Sequence, residues 1–409
     1  ENIPETTAKV VVSSAIANDN EELLEARRRE IPILHRSDLL AEMFLDAQTG
    51  VAVAGCHGKT TVTSMLAHML LETGKDPTCV IGGTVEALGG NARTGKSGIF
   101  VAEADESDAT FLKYFPQIAV ITNIDNDHMD HYQSLDAIVK AFEVFAGHVV
   151  TDGTIYLCQE DPIARNIALP ENRRVVTYGI EMPSDVMASN IQYHPYGSTF
   201  DVLIAGIQRG TFSLAIPGKH NILNALPVIS MGFEFGLDAE SMENSLKTFH
   251  GAGRRFEVKG NFEGVTVIDD YGHHPNEIRA TLAAAKSLGA EHVFVVFQPH
   301  RYSRTQLLCS ELGRAFDDCD RVFITDIYAA SEKPIDGVNS KLILDHMPIP
   351  QRRKAKMVHN FDEAVYQILE SVAPGDVVFT LGAGNVTTLG PILIDAMRNR
   401  ARLHAAKAV

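Results

Sequence analysis

The sequence predicts an α/β protein whose central domain is built on a parallel or mixed sheet and is followed by a second α/β domain. Three observations lead to this fold class. Short β-branched apolar runs end at glycine or acidic residues, segments with helical spacing follow them, and a polar, glycine-bearing link near residue 250 separates two such series. The 409 residues are enough for two or three domains, each with its own core. The predicted boundaries give domains at 1–40, 41–250 and 251–409.

The first βα series begins in the segment from Val51 to Leu71, VAVAGCHGKTTVTSMLAHMLL. Its apolar run predicts a strand, and its glycines predict a tight turn. A helix follows, because apolar residues recur at helical spacing and Gly74 stands just past the last of them. The apolar residues of this helix, which we assign to the core, are Val62, Met65, Leu66, Met69 and Leu70.

The turn in this segment has the features of a phosphate-binding loop. Gly55 and Gly58 let backbone N–H groups turn towards an anion, and the N-terminus of the helix adds partial positive charge. Lys59 can then reach the terminal phosphates of a nucleotide, and the Thr60 hydroxyl can bind magnesium. The pattern G-x-x-x-x-G-K-[ST] is incomplete, because Val53 stands in place of its first glycine. A plain strand-to-helix connection is the alternative.

Two further strands are predicted at 99–102 and 118–121, and both end in polar tails, EADESD and TNIDNDHMDHY. In a parallel sheet the carboxyl ends of the strands share one edge, so these tails should lie beside the phosphate-binding turn. Glu103 could there bind a magnesium ion shared with Thr60. His128 is either a ligand of a second metal or a structural histidine.

The other acidic residues of the first tail have a simpler interpretation. A cluster of carboxylates beside a helix start is typical of a solvated turn that caps the helix. We assign this role to Asp105, Glu106 and Asp108.

The rest of the chain contains an irregular stretch and a second βα series. VVVSS at 10–14 predicts a strand, and short, turn-rich alternating segments between about 151 and 215 predict an antiparallel elaboration. Because the sequence opens at Glu1 in mid-pattern, we expect further N-terminal chain to precede it. The second series comprises strands at 265–268, 292–297, 321–325 and 377–381, with helices from Pro275 and after Ser303.

Composition argues against several classes of protein. The 36 Lys and Arg against 52 Asp and Glu give a formal net charge of -16, which repels nucleic acid and anionic membranes. No apolar run approaches the roughly 20 residues of a membrane span. The 5 cysteines lack C-x-x-C spacing, so neither a disulfide framework nor a zinc site is indicated. We therefore expect a cytoplasmic protein that acts on small molecules. A monomer or a weak homodimer is expected.

Two groups of basic residues occur in the second domain. Arg254 and Arg255 lie at the inferred hinge, where a guanidinium can swing onto phosphate when domains close. The segment FQPHRYSRT ends a strand and begins a helix, and its His300, Arg301 and Arg304 can bind a carboxylate or phosphate. A neighbouring aspartate is the alternative partner for these cations.

Two polar turns complete the predicted cleft of the second domain. DDYGHHP, at 269–275, follows the predicted strand at 265–268. It would present four polar side chains, those of Asp270, Tyr271, His273 and His274. The GAGN turn, at 382–385, is either a small anion-binding turn or, as is more common, a tight connection.

The ordered motifs of the chain resemble the Mur ligases of peptidoglycan synthesis. The resemblance covers nearly the whole chain, through GCHGKTT at 55, EADESDATFL at 103, TNIDNDHMD at 122, GKHNILNA at 218, GRRFE at 253, DDYGHHPNEI at 269, FQPHRYSRT at 297 and LGAGN at 381. DDYGHHP together with HRYSRT is similar to the alanine-adding branch, and the ligase that recycles a muramyl tripeptide is the nearest alternative. Cys56 stands where the family usually has threonine.

The resemblance implies a fold and a reaction. The expected parts are a central P-loop ATPase-like domain, a C-terminal Rossmann-like domain for the amino acid, and a remnant of an N-terminal UDP-sugar-binding domain that is otherwise largely absent. The implied reaction joins L-alanine to UDP-N-acetylmuramate through an acyl phosphate, with ATP and Mg²⁺ as cofactors. Domain closure is expected to assemble the site. An ATP-driven switch or binding module is the alternative from another class.

The resemblance also implies roles for individual residues. The residues expected to carry catalysis are Lys59, His128, Arg255 and His273. The implied magnesium ligands are Thr60, Glu103 and His128. The implied ATP-binding residues are Gly55, His57, Gly58, Lys59, Thr60, Thr61 and Arg255, with His220, Asn221 and Asn224 near adenine and Asp270 on the ribose. The substrate residues are Tyr271, His273, His274, His300, Arg301 and Arg304, and the two histidines at 273 and 274 are candidate general bases.

Overall fold

The computed structural model describes residues 2–14, 16–127 and 129–407. His128, predicted as a metal ligand, lies outside the described residues. The strands are β1 (Val10–Val12), β2 (Ile33–His35), β3 (Thr49–Ala54), β4 (Thr78–Val85), β5 (Gly90–Arg93), β6 (Ile99–Glu103), β7 (Ile118–Ile121), β8 (Thr154–Cys158), β9 (Arg174–Gly179), β10 (Val186–His194), β11 (Gly197–Ile204), β12 (Ile207–Leu214), β13 (Glu257–Phe262), β14 (Val265–Asp270), β15 (Val293–Phe297), β16 (Arg321–Ile324), β17 (Ala355–Met357) and β18 (Val377–Leu381). The α-helices are α1 (Glu21–Arg28), α2 (Arg36–Asp46), α3 (Lys59–Glu72), α4 (Met129–Tyr132), α5 (Leu135–Gly147), α6 (Lys219–Glu234), α7 (Ala239–Lys247), α8 (Pro275–Ala285), α9 (Tyr302–Leu312), α10 (Lys341–His346), α11 (Ile349–Arg352), α12 (Phe361–Ser371) and α13 (Leu389–Lys407).

The chain forms two compact units, each with its own buried apolar core. Among the residues that the structure describes, no helix is both long enough and apolar enough to cross a membrane. The first unit comprises Glu1–Ser189, Val202–Gly210 and Leu223–Ser245. The second unit comprises Asn190–Asp201, Thr211–Ile222 and Leu246–Val409.

In the first unit β3 lies near the middle of the sheet. The hydrogen-bonded order β9-β8-β7-β3-β6-β4-β5 is parallel throughout, except that β5 runs antiparallel to β4. Residues 51–54 of β3 are fully buried, as in a parallel strand covered on both faces. The register pairs Val53 with Glu103, and Ala54 with Ile121. The carboxyl ends of β3, β6 and β7 therefore meet at one edge, which confirms the prediction for the polar tails.

The stretch from 151 to 215 corrects one prediction. β8 pairs in parallel with β7, β9 with β8, and β10 with β9, so the expected antiparallel arrangement is wrong for these strands. Parallel neighbours need a crossover connection, which is usually a helix with clear periodicity. Between β8 and β9 the crossover contains only the short 3-10 turn Ala164–Asn166, which leaves no helical pattern in the sequence. The VVVSS strand is shorter than predicted and pairs in parallel with β2.

Helix α3 follows the turn after β3 and confirms the predicted helix. Every residue from Thr61 to Leu70 is buried, so this helix is enclosed on all sides rather than along one apolar face. Gly74 has a φ of 76°, which ends the helix just where the sequence indicates. The helix thus presents its N-terminus, and Lys59 as its first residue, at the carboxyl edge of the sheet.

The second unit contains a six-stranded sheet with order β13-β14-β18-β15-β16-β17. β13 is antiparallel to β14, and the remaining pairs are parallel. One apolar cluster includes Leu282 and Leu312, and a second includes Leu389 and Leu393. The predicted strands at 265–268, 292–297, 321–325 and 377–381 all form, and helices α8 and α9 connect them as expected.

Candidate active site

The turn between β3 and α3 is fixed by the residues that follow β7. The side chain of Asn123 accepts a hydrogen bond from the His57 backbone N–H at 2.8 Å and donates to the His57 carbonyl at 2.8 Å. Thr122 Oγ1 donates to the same carbonyl at 2.6 Å. Gly55 and Gly58 have φ values of 137° and 85°, which residues with a side chain rarely adopt. Thr122 and Asn123 therefore hold the turn at the N-terminus of α3, where the N–H groups of the first helical turn have no partner within the helix.

Lys59 lies inside this turn in a buried ion pair. Its Nζ donates to the Gly55 carbonyl at 2.6 Å and to Glu106 Oε2 at 2.7 Å. Burial acts to lower the pKa of Lys59, but the charges of Glu106 and Asp105 and the hydrogen bond to Glu106 outweigh it, so the pKa is raised above its ordinary value. Lys59 is therefore a fixed positive charge at the turn between β3 and α3, which is the predicted phosphate-binding turn.

The position of Glu106 corrects the prediction of a solvated acidic turn. Its side chain is 0% exposed, because it points inwards to Lys59 instead of capping a helix. Its half-buried neighbours instead bind backbone N–H groups of the same turn: Asp105 Oδ1 accepts from the Ser107 N–H at 3.1 Å, and Asp108 Oδ1 accepts from the Thr110 N–H at 3.1 Å. Sequence spacing alone does not distinguish the one buried carboxylate from the two that cap the turn.

Thr60 and Glu103 form the second polar pair at this edge. Thr60 Oγ1 donates to Glu103 Oε2 at 3.2 Å, and the Gly82 N–H donates to Glu103 Oε1 at 2.5 Å. A Cβ at Gly82 would lie 2.7 Å from Glu103 Oε2, so this carboxylate needs a glycine on the neighbouring strand β4. A hydroxyl and a carboxylate are hard oxygen ligands of the kind that Mg²⁺ prefers. The two residues therefore fit the predicted magnesium site.

The other residues of the turn also pack against the β7 tail. His57 Nε2 lies 3.1 Å from Asp125 Oδ2. Cys56 Sγ accepts from the Asp125 N–H at 3.1 Å, and burial raises the pKa of the thiol. Thr61 is buried in the first turn of α3. Cysteine thus fills the usual threonine position as a small, buried, un-ionised side chain.

The predicted adenine residues fall in both units. Asn224 belongs to the first unit and packs against the phosphate-binding turn, where a Cβ at Gly58 would lie 2.8 Å from Asn224 Oδ1. In the second unit, Asn221 is buried and donates to the Pro217 carbonyl at 2.6 Å. Burial and the nearby charge of Arg255 lower the pKa of His220 to about 4, so its ring is neutral at physiological pH.

Asp270 lies in a buried network at the end of β14. Oδ1 accepts from the Gly272 N–H at 2.8 Å and from Thr281 Oγ1 at 3.1 Å, and Oδ2 accepts from the Phe256 N–H at 2.8 Å. Burial raises the pKa of this carboxyl in spite of the opposing charge of Arg255. The Asp270 side chain thus fixes the backbone just before β13 and just after β14.

Arg254 and Arg255 are adjacent in the sequence, but their side chains contact different partners. Arg255 lies 3.5 Å from Glu277 Oε1, and its guanidinium is 5.0 Å from the centre of the Tyr271 ring. Arg254 Nε instead donates to the fully buried Asp269 at 3.1 Å, and its terminal nitrogens donate to the carbonyls of Gly382 and Ala383. Arg254 thus anchors the GAGN turn. Because its guanidinium is engaged by three partners, Arg254 does not suit the predicted role on phosphate, and that role stays a prediction for Arg255.

The basic segment after β15 forms a packed cluster with the β14 tail. Arg304 Nη1 donates to His300 Nδ1 at 3.1 Å, and the His300 ring contacts His273 edge-on at 5.6 Å between centres. The His273 ring in turn contacts Tyr271 at 5.3 Å. Burial, with the charges of Arg304 and Arg301, lowers the pKa of His300 to about 4. A neutral His300 therefore accepts from Arg304 and carries its own proton on Nε2.

His273 and His274 differ in their surroundings. His274 is the N-cap of α8, where Nδ1 accepts from the Asn276 N–H at 3.4 Å and Glu277 completes a capping box. His273 Nδ1 lies 3.1 Å from the Tyr271 carbonyl and 3.3 Å from Glu277 Oε2. A carbonyl only accepts, so Nδ1 of His273 carries the proton and Nε2 is its basic nitrogen. His274 thus contributes to the start of the helix, while His273 lies in the aromatic and basic cluster.

Sequence reasoning missed three residues of these clusters. Glu106 pairs with Lys59, Tyr328 stacks on His300, and Glu332 accepts from Ser303 at the start of α9. Tyr328 and Glu332 come after β16, so the rule that ligand-binding residues follow the carboxyl ends of parallel strands could have indicated them. No comparable signal marks Glu106, since its two acidic neighbours follow the same strand.

Family models identify the class of protein. The model of the Mur ligase middle domain matches residues 53–232, the model of the Mur ligase glutamate ligase domain matches 254–384, and a model described as the Mur ligase family catalytic domain matches 1–48. The chain belongs to the Mur ligase family, as its motifs predict.

Individual relatives place the chain within that family. It is 45% identical over 385 residues to the UDP-N-acetylmuramate–L-alanine ligase of Anaeromyxobacter dehalogenans, which covers 94% of this chain and 84% of that protein. It is 44% identical to the enzyme of the same name from Pelotomaculum thermopropionicum, covering 96% and 86%. The crystal structure of the UDP-N-acetylmuramate–alanine ligase MurC from Thermotoga maritima matches with a TM-score of 0.80 at 29% identity, covering 96% of this chain and 86% of that one.

Proposed function

We propose that this protein is an ATP-dependent ligase that joins L-alanine to UDP-N-acetylmuramate, with release of ADP and phosphate, in cytoplasmic peptidoglycan synthesis. The observation that carries the proposal is the likeness, at 42–45% identity over 93–96% of the chain, to proteins named for that activity. The motifs of the alanine-adding branch, DDYGHHP and HRYSRT, favour L-alanine over the free tripeptide as the amine substrate. The two substrates are its expected partners.

The phosphate-binding turn supports activation of a carboxylate. A carboxylate has no usable leaving group, and transfer of the γ-phosphoryl group of ATP to one of its oxygens provides one. Such a transfer depends chiefly on positioning and on neutralisation of charge. Lys59 supplies a permanent positive charge beside backbone N–H groups, and we assign it the terminal phosphates. Arg255 is the second cation that we assign to phosphate.

Mg²⁺ is the metal that we propose for the pair of Thr60 and Glu103. His128 is the third proposed ligand, as the resemblance implies. When bound, the ion would neutralise phosphate charge. Hard oxygen ligands and several retained waters are the coordination that Mg²⁺ prefers. The role of this chain is to hold the Thr60 hydroxyl and the Glu103 carboxylate within 3.2 Å of each other.

The cluster after β14 and β15 supports binding of an amino acid. Arg301 and Arg304 are the proposed partners of the alanine carboxylate, since guanidinium groups bind carboxylates with two hydrogen bonds. Neutral His300 orients Arg304 without adding charge. The free amine of alanine then attacks the acyl carbon and expels phosphate. His273 is the group that we favour as its general base, because His274 caps a helix.

Phosphate release with each combination of substrates tests this proposal. We expect release from ATP only when UDP-N-acetylmuramate and L-alanine are both present, with the free tripeptide a much poorer replacement for alanine. Preference for the tripeptide would instead identify the recycling ligase. Hydrolysis that is indifferent to both substrates would contradict ligase activity and favour an ATP-driven switch.

A further inference from the structure

Tyr328 contacts the cluster of His273, His300 and Arg304, which we propose as the amino-acid site. It belongs to neither DDYGHHP nor HRYSRT, the two motifs that predict this cluster. Its ring stacks on the imidazole of His300, with 5.8 Å between ring centres and an angle of 15° between the planes. Offset stacking of this kind is a favourable arrangement of two rings. The His300 ring is therefore held by Tyr328 on a face, by His273 at 5.6 Å, and by Arg304 at Nδ1.

The backbone fixes Tyr328 opposite His300. The Tyr328 N–H donates to the Pro299 carbonyl at 2.8 Å, and the Arg301 N–H donates to the Tyr328 carbonyl at 2.8 Å. These two bonds form an isolated parallel bridge between Tyr328 and His300. The backbone of Tyr328 is therefore tied to the residues that precede α9.

Two further contacts hold the segment after β16 in place. Glu332 accepts from the Ser303 N–H at 3.1 Å and from Ser303 Oγ at 2.5 Å, which ties the segment to the first turn of α9. On the other side, a Cβ at Gly384 would lie 2.6 Å from Tyr328 Cγ. Gly384 of the GAGN turn thus leaves room for the tyrosine ring.

We propose that Tyr328 is a positioning residue of the amino-acid site: by stacking on His300, it fixes the ring that orients Arg304 towards the alanine carboxylate. This inference rests on the proposed function. Without the stack, the His300 ring can rotate, and Arg304 then loses the acceptor that holds one of its nitrogens. The guanidinium would have to be ordered when the amino acid binds, and that ordering weakens affinity.

Steady-state kinetics of Tyr328→Ala and Tyr328→Phe test the inference. With ATP and UDP-N-acetylmuramate saturating, we expect the alanine substitution to raise the KM for L-alanine about threefold to tenfold, as loss of an aromatic pair implies. The KM for ATP and the kcat at saturating alanine should stay close to wild type. The phenylalanine variant keeps the ring and should restore the wild-type KM. Tyr366→Ala, which removes a 61% exposed tyrosine from α12 in the same unit, is the matched control.

Each outcome has a distinct meaning. An unchanged KM for L-alanine in Tyr328→Ala, an equal rise in the KM for ATP, or failure of Tyr328→Phe to restore the KM would overturn the positioning role. If wild-type protein turns over a different amino acid, the same comparison is made with that substrate. A wild-type protein that no amino acid stimulates would overturn the proposed function and this inference together.

Discussion

The charges of Glu106 and Lys59 are both largely shielded from water, so each stabilises the charged form of the other. Glu106 is 0% exposed and the Lys59 side chain is 14% exposed, with 2.7 Å between Nζ and Oε2. Removal of one partner from a buried pair leaves the other charge desolvated and unpaired. Substitution of Lys59 alone therefore mixes two effects, loss of the proposed phosphate ligand and loss of the counter-charge of Glu106.

A double-mutant cycle separates these effects. We expect Lys59→Ala and Glu106→Gln each to lower the free energy of unfolding by about 3 to 5 kcal/mol. The double variant should recover much of that stability, because the glutamine carries no charge, but it should release no phosphate. Unfolding of each variant and phosphate release under ligase conditions are the two measurements.

An exposed pair in the same unit provides the control for this cycle. Lys9 and Glu42 lie 3.7 Å apart with side chains 54% and 53% exposed, so Glu42→Gln should change stability by less than about 1 kcal/mol. Purely additive losses at Lys59 and Glu106 would contradict their coupling.

Strand β4 determines where the Glu103 side chain lies on the neighbouring strand β6. The two strands pair in parallel, and the Gly82 N–H at the far end of their contact binds Glu103 Oε1. The absence of a side chain at Gly82 leaves space for the carboxylate beside Thr60. Strand β4 therefore sets the position of the Glu103 carboxylate on β6 beside the Thr60 hydroxyl on α3.

Gly82→Ala should disturb the proposed metal site without unfolding the sheet. Its Cβ would lie 2.7 Å from Glu103 Oε2, so the flexible carboxylate must turn away from Thr60. We expect the Mg²⁺ concentration for half-maximal rate to rise several-fold, while the KM for L-alanine is unchanged. The matched control is Gly90→Ala on β5, where an added Cβ meets nothing within 4 Å. Equal Mg²⁺ requirements in both variants would argue against Glu103 as a metal ligand.

Across both units, the sequence predicts the elements better than the contacts between side chains. Runs of β-branched residues and the glycines at 55 and 58 are local signals, so β3, α3 and the shared edge of the sheet follow from them. The pairing of Glu106 with Lys59 joins residues 47 positions apart, and no local pattern selects it over Asp105 or Asp108. Arg254 bonds to the GAGN turn over 128 positions, so its structural role is likewise invisible to spacing.

The parallel pairing of β8 and β9 also lacks a local signal in the sequence. A parallel pair is recognised from sequence by the helix that connects its strands. β7 and β8 have such a helix in α5, but β8 and β9 are joined by a turn without periodicity. The family resemblance does not depend on this connection, because its motifs lie at strand ends rather than between strands.

Ligation requires that ATP activates the carboxylate and not water, and an isotope measurement tests this directly. UDP-N-acetylmuramate labelled with ¹⁸O in its carboxylate is incubated with the protein, ATP, Mg²⁺ and L-alanine. The carboxylate oxygen that takes the γ-phosphoryl group leaves with it when the amine attacks. We expect one ¹⁸O atom in each phosphate released. Phosphate that carries no label from the carboxylate, and instead takes oxygen from labelled water, would contradict the proposed reaction.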